Sequence, residues 1–296
     1  MASFTYLSQQ ITIYWGSFIL FSGLLGGSIN CIVFLSLKTF RQNSCAFYLM
    51  ILSLFNMGQL LATVLSRIMI TGFNIDWTER SIFYCKFRTM FLHLCSLMSF
   101  TCMCLATIDQ FLATCSRRRW QQMCNIKIAY VLTVIFIFIW ILHEIPALVF
   151  NDLVSTSNSS KITCANTSFI YQQYVIFIYL FILTGILPLS INIIFGSLAY
   201  RNVRQIPYRT VPLVRRELDK QLTSMVLVQV VYSVIVVSPY IITSIVNHPT
   251  SRSKDPISVE KLMLASSVTG YLYYMYFAVR NQLTNLVFSI VAFVHF

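Results

Sequence analysis

Few side chains in this sequence are equipped for chemistry, and their placement limits what that chemistry can be. The four histidines, His93, His143, His248 and His295, are dispersed, without the His-Glu-x-x-His spacing that puts two imidazoles on one helix face to hold zinc. No Gly-x-Ser-x-Gly turn presents a serine nucleophile. A metal centre, a cofactor and an enzyme activity are therefore not expected. What remains is a set of isolated polar groups. Cys85 and Cys164 are candidates for a bridge, and Glu144, beside His143, is an acid inside an apolar run. A carboxyl group so placed must pair, protonate or serve a function.

The elements that position these groups are apolar helices. Of 296 residues, 57% are hydrophobic and 10% charged, against about 25% charged in an ordinary soluble domain. The net charge of +12 does not indicate a nucleic-acid partner, because the basic residues sit between apolar runs rather than on one face of a soluble domain. A helix needs about 20 apolar residues to cross roughly 30 Å of hydrocarbon. Such spans fall near Ile11–Leu37, Cys45–Ile70, Phe83–Ala113, Ile126–Phe150, Tyr171–Tyr200, Gln221–Val246 and Leu262–Ile290. The last is interrupted by Arg280, Asn281, Gln282 and Asn285; polar groups at that depth face a bundle interior. The expected fold class is all-α: one seven-transmembrane helix bundle over residues 1–296, with no separate soluble domain. Met1 to Gln10 contain no Lys or Arg, so the first span is expected to act as its own insertion signal.

Basic residues collect in alternate loops: Lys38 and Arg41; Arg117, Arg118, Arg119 and Lys127; and Arg201, Arg204, Arg209, Arg215, Arg216 and Lys220. The positive-inside rule makes these loops cytoplasmic, with the N-terminus outside and the C-terminus inside. The loop after the fourth span carries the sequons Asn158-Ser159-Ser160 and Asn166-Thr167-Ser168, which accept glycans only on the lumenal side; chance occurrence in a Ser/Asn-rich loop is the alternative. Seven of the nine cysteines fall within spans or near cytoplasmic ends, where bridging is disfavoured. Cys85 and Cys164 alone reach the outer side. One disulfide between them is the expectation, and two unrelated free thiols the alternative.

Scattered residues in this order resemble the rhodopsin-like family of G-protein-coupled receptors along all seven spans. Gly27-Ser28-Ile29-Asn30 is similar to the family's Gly-x-x-Asn, and Asn56 stands where the family has an Asp in the second span. Asn keeps hydrogen bonding but loses the charge, so the family's sodium site does not carry over. Asp109-Gln110-Phe111 stands for the family's Asp-Arg-Tyr, and Val236-Val237-Ser238-Pro239-Tyr240 for Cys-Trp-x-Pro-Tyr. Trp140, Pro146 and Pro188 fit the fourth and fifth spans. The Asn-Pro-x-x-Tyr of the seventh span has only Asn281-Gln282-Leu283-Thr284-Asn285 as its counterpart. By this resemblance Asp109, Gln110, Phe111, Asp219, Pro239, Asn281 and Asn285 face the G protein or form the switch, and Asn30 and Asn56 are interhelical polar anchors.

The resemblance implies a plasma-membrane receptor that converts contact with an extracellular ligand into activation of a heterotrimeric G protein. Leu92 occupies the position of the amine receptors' Asp, and no Lys lies in the core of the seventh span, so neither a monoamine nor retinal is expected. Arg67, Lys86, Arg88, His93 and Lys261 offer a basic rim for a peptide or other acid-bearing ligand, with Leu92, Tyr240, Tyr271, Tyr273, Tyr274 and Tyr276 as wall. The same cations equally serve by snorkelling to headgroups. Two other classes are weighed: a receptor-fold decoy or scaffold, suggested by Gln110 and Val237, and a transporter or channel. The latter commonly shows internal repeats with paired broken helices, and none is visible here.

Overall fold

The structure is a computed structural model that describes residues 2–36, 41–115, 117–155, 162–204, 213–246, 262 and 264–279. The helices are α1 (Ala2–Ser36), α2 (Ser44–Gly72), α3 (Ile82–Thr114), α4 (Ile126–Phe150), α5 (Phe169–Val203), α6 (Leu213–Val246) and α7 (264–279). Six of them are long and apolar enough to cross a membrane. The remainder of the predicted seventh span, including Asn281 and Asn285, lies outside the described residues, as does Asn158.

Local sequence sets where the helices begin. Asn43, Ser81, Asn125 and Ser168 cap α2, α3, α4 and α5, each side-chain oxygen accepting a backbone N–H of the first turn. Two helices carry π-helical turns among the described residues. α2 widens into π-helical turns at Leu60–Leu65 and Ile68–Gly72, and α5 does so over Val175–Ile186. Such turns often mark functional sites. α4 breaks at Glu144, where Pro146 sits in the first turn of its last segment.

The all-α expectation omits one element. Asn151–Ser155 (β1) and Ile162–Asn166 (β2) form an antiparallel hairpin in the loop after α4, with Leu153 opposite Cys164. Cys164 is bonded to Cys85 in the first turn of α3, with 5.8 Å between Cα atoms. The hairpin is thereby stapled to the bundle. Closing a loop of this length restricts the unfolded chain, typically by about 2–4 kcal/mol.

α3 is the axis of the bundle. Of its most apolar stretch 67% is buried, against 17% for α4. α1 and α4 instead turn Tyr14, Phe21, Leu25, Phe138 and Leu142 outward, the face a helix presents to lipid. One close approach fixes α1. A Cβ on Gly23 would overlap the Leu60 side chain and come within 3.0 Å of Ala278 Cβ and 3.1 Å of its Cα. Only a glycine lets α1, α2 and α7 meet there. Gly23→Val is expected to destabilise the purified protein by about 1–3 kcal/mol through overpacking. Gly196→Ala, which meets the end of the Leu227 side chain at 3.3 Å and Thr107 only at 3.8 Å, should cost less than half as much when both are followed by thermal unfolding in nanodiscs.

Candidate functional site

A cavity of about 310 Å³ opens in the bundle toward the end that carries the disulfide. Its wall draws on five helices. α2 supplies Gln59 and Arg67, α3 Leu92 and His93, α5 Tyr179 and Leu180, α6 Tyr240 and Ser244, and α7 Ser266, Tyr273 and Tyr274. The π-helical stretches of α2 and α5 flank the cavity, so the wider turns re-aim residues that a regular helix would place elsewhere.

The aromatic wall is interlocked. Tyr240 stacks on Tyr273 at 4.4 Å between ring centroids, Tyr273 meets Tyr274 edge-on at 5.8 Å, and the Tyr273 hydroxyl shares a hydrogen bond of 3.0 Å with Ser96 on α3. The Arg67 guanidinium lies 5.6 Å from the centre of the Tyr274 ring, a cation–π contact. It also lies against Gly270, where a Cβ would come within 3.2 Å of its Nη1. Among the described residues no carboxylate pairs with Arg67. Gln59, 1% exposed, has no hydrogen-bond partner for its Oε1 among the described residues. A cation and a buried amide are thus presented to the cavity with polar capacity to spare.

Beside this wall Glu144 is held by two imidazoles. Its Oε2 lies 2.9 Å from His93 Nδ1 and its Oε1 2.9 Å from His143 Nδ1, while His143 Nε2 meets the Tyr174 hydroxyl at 2.5 Å. The break in α4 turns Glu144 inward toward α3 and α5.

The structure therefore brings Arg67, Leu92, His93, Tyr240 and Tyr274 to one cavity and sends other candidates elsewhere. Arg88 donates its Nε to the Ala62 carbonyl at 3.3 Å. Tyr271 is buried on the side of α1, its ring within 3.4 Å of where a Gly16 Cβ would stand. Lys86 lines an apolar groove with Ile82, Phe83, Phe87, Met90 and Leu148. Lys261 falls outside the described residues. Gln59 and Tyr179 were not singled out by sequence; the long polar side chain of Gln59 in the apolar run of α2 is a signal that could have found it.

At the opposite end of α3, Asp109 is 8% exposed and accepts from Ser44 Oγ at 2.8 Å on both carboxylate oxygens, and its backbone carbonyl accepts the Cys124 thiol at 3.4 Å. Ser44 opens α2, so an α2 hydroxyl and the α3 carboxylate tie the two helices. Gln110 is buried, and Phe111 packs on Phe195 of α5 at 5.4 Å. Between the two ends Asn30 donates to Ser53 at 3.0 Å, and Asn56 accepts from Ser99 at 2.5 Å. Pro239 lies inside α6, with Val237 fully buried beside it. Asp219 is in the same helix; its side chain lies outside the described part. Asn166 ends β2, its Oδ1 accepting from Ser168 N.

A family model described as "7 transmembrane receptor (rhodopsin family)" matches residues 29–276. No curated protein matches the chain.

The Ser44–Asp109 contact yields a stability test. A hydrogen bond to a charged, buried acceptor contributes about 1.5–3 kcal/mol. Ser44→Ala is expected to lose that amount in thermal unfolding of the purified protein, and Ser44→Thr, which keeps the hydroxyl, most of it to retain. Equal stability of all three would remove the contact from the account.

Proposed function

The chain belongs to the rhodopsin family of seven-transmembrane receptors, and from that premise we propose that it is a plasma-membrane receptor for a ligand bearing an acidic group, coupled to a heterotrimeric G protein. It is a multi-pass membrane protein of a receptor family, not an enzyme family. The ligand enters from the extracellular side, at the end closed by the Cys85–Cys164 staple, and the C-terminus is cytoplasmic.

The observation that carries the ligand class is Arg67. A guanidinium in a membrane bundle is costly unless paired, and this one faces a cavity with no carboxylate partner among the described residues. The planar fork suits a carboxylate or phosphate bidentately, and Tyr274 holds the fork in place. Gln59 adds a polar group, and Tyr240 and Tyr273 offer flat surface for the apolar part of a ligand. The cavity, about 310 Å³, is at the small end of ligand sites. It suits a compact organic acid or the acidic end of a peptide whose remainder rests on the hairpin. Leu92 offers no anion to a monoamine.

Signalling requires two packings of the bundle with different affinity for the ligand. Contact with Tyr240, one residue beyond the Pro239 bend of α6, favours the packing in which the far half of α6 moves from α3. Gln110 cannot form the charged restraint that an arginine makes in this position, and the Ser44–Asp109 tie serves as the resting contact at that end. The silence expected of a decoy is the rival outcome in the same assay.

Cells displaying the receptor, screened with a panel of G-protein activation sensors against acidic peptides and small organic acids, are expected to respond to a subset of these. Arg67→Gln should raise the half-maximal concentration by at least about tenfold, the equivalent of 1.4 kcal/mol, with Arg67→Lys intermediate and surface display unchanged. A ligand whose potency ignores Arg67→Gln would contradict the assigned acid site, and silence to every compound at normal display would favour the decoy.

A further inference from the structure

We propose that His93, held by Glu144 in the cavity wall, is a proton-binding site that sets the charge of the cavity. Glu144 is 1% exposed and lies between two imidazoles at 2.9 Å each. An ionised carboxylate only accepts hydrogen bonds, so both Nδ1 atoms carry the hydrogens that face it. For His143 this completes the ring's bonding, because its Nε2 accepts the Tyr174 hydroxyl. His93 differs. Its Nδ1–H is directed to Glu144, its Nε2 has no hydrogen-bond partner among the described residues, and the residue lines the cavity.

The triad with both rings neutral carries one negative charge. Binding one proton at His93 Nε2 forms a single N–H bond, breaks none, and brings the triad to zero. The new imidazolium keeps its ion pair with Glu144 and gains a donor on the atom left over. Histidine is the side chain that ordinarily changes charge between about pH 5 and 8, and the His93 ring stands 2.9 Å from the Glu144 carboxylate. The other titratable and charged groups that face His93 do not compete for this proton in that range. They are Tyr174 and Tyr171 beside Glu144 on α5, Tyr179 against the His93 ring at 4.3 Å, Tyr240 on α6, Tyr273 and Tyr274 on α7, and Arg67 on α2. Tyrosines ordinarily stay neutral, and arginine charged, below about pH 9.

For function, the consequence is that the negative charge of Glu144 is balanced, which leaves Arg67 as the uncompensated charge of the wall. Acidification would then favour an acid-bearing ligand, a step that rests on the ligand class proposed above. The proton site itself does not, and it is tested without ligand or G protein. Ser266, on the cavity wall, is replaced by cysteine in the full chain in nanodiscs. In this parent protein and its variants, modification rates by an anionic (sulfonatoethyl) and a cationic (trimethylammonioethyl) methanethiosulfonate are measured from pH 8 to 5.5, after subtracting the rates of the corresponding chains that keep Ser266. Both reagents attack the same thiolate, so the ratio of rates reports cavity potential and cancels thiol ionisation.

The expected result is an anionic-to-cationic ratio that rises at least about fivefold over this range. The rise should be absent in His93→Gln and reduced in Glu144→Gln, whose amide supplies no charge to hold the imidazolium. A flat ratio in the parent, or a rise that persists in His93→Gln, overturns the proposal. Should His93→Gln fail to fold, Glu144→Gln decides alone: a rise identical to that of the parent overturns the proposal, and a smaller one supports it.

Discussion

A polar group carried into hydrocarbon must find its partner inside the protein, because lipid offers none. Among the described residues α3 supplies most of those partners. Ser99 donates to Asn56 of α2, Ser96 meets Tyr273 of α7, Thr101 accepts Trp140 of α4, Thr107 donates to Asn192 of α5, His93 is bound to Glu144 and Asp109 to Ser44. Each bond runs from one central helix to a different neighbour or a different level. Apolar packing alone leaves helix rotation and register loosely specified, since lipid tails are as apolar as leucine. The hydrogen bonds select one arrangement.

The same arrangement places two unlike ends on one helix. Toward the disulfide, α3 offers Leu92 and His93 to a cavity; at the other end it offers Asp109, Gln110 and Phe111. Asn56, Gln110 and Val237, which the resemblance sets against charged or bulky residues of the family, are neutral and buried here. Asn56 accepts directly from Ser99 of α3. Val237 packs in the core beside stacked Phe100, Tyr276 and Tyr232, so aromatic bulk comes from α3, α7 and another position of α6.

How much of this was legible in the sequence follows from the range of each interaction. Apolar runs and Asn or Ser caps are local, so six long helices stand close to where hydropathy placed them, with α1 and α6 beginning several residues earlier. The cysteine pair was legible because topology left few choices. Pairings across helices were not. Glu144 was visible as an acid in an apolar run, but its partner His93 lies in another helix, and only folding unites them. The rotations of α2, α3 and α7 decided that Arg67 and Tyr274 reach the cavity while Arg88 and Tyr271 point elsewhere. The π-helical turns have no signature in composition, and the hairpin after α4 was hidden in a polar loop whose strands are only five residues each.

If cross-helix hydrogen bonds to α3 specify the bundle, the Ser99–Asn56 pair is where the claim is exposed most plainly. A double-mutant cycle with Asn56→Ala, Ser99→Ala and the double variant, followed by thermal unfolding in nanodiscs, measures the bond apart from the packing of either residue. The account predicts a coupling of about 0.6–1.7 kcal/mol. Additive losses, with no coupling beyond about 0.3 kcal/mol, would contradict it.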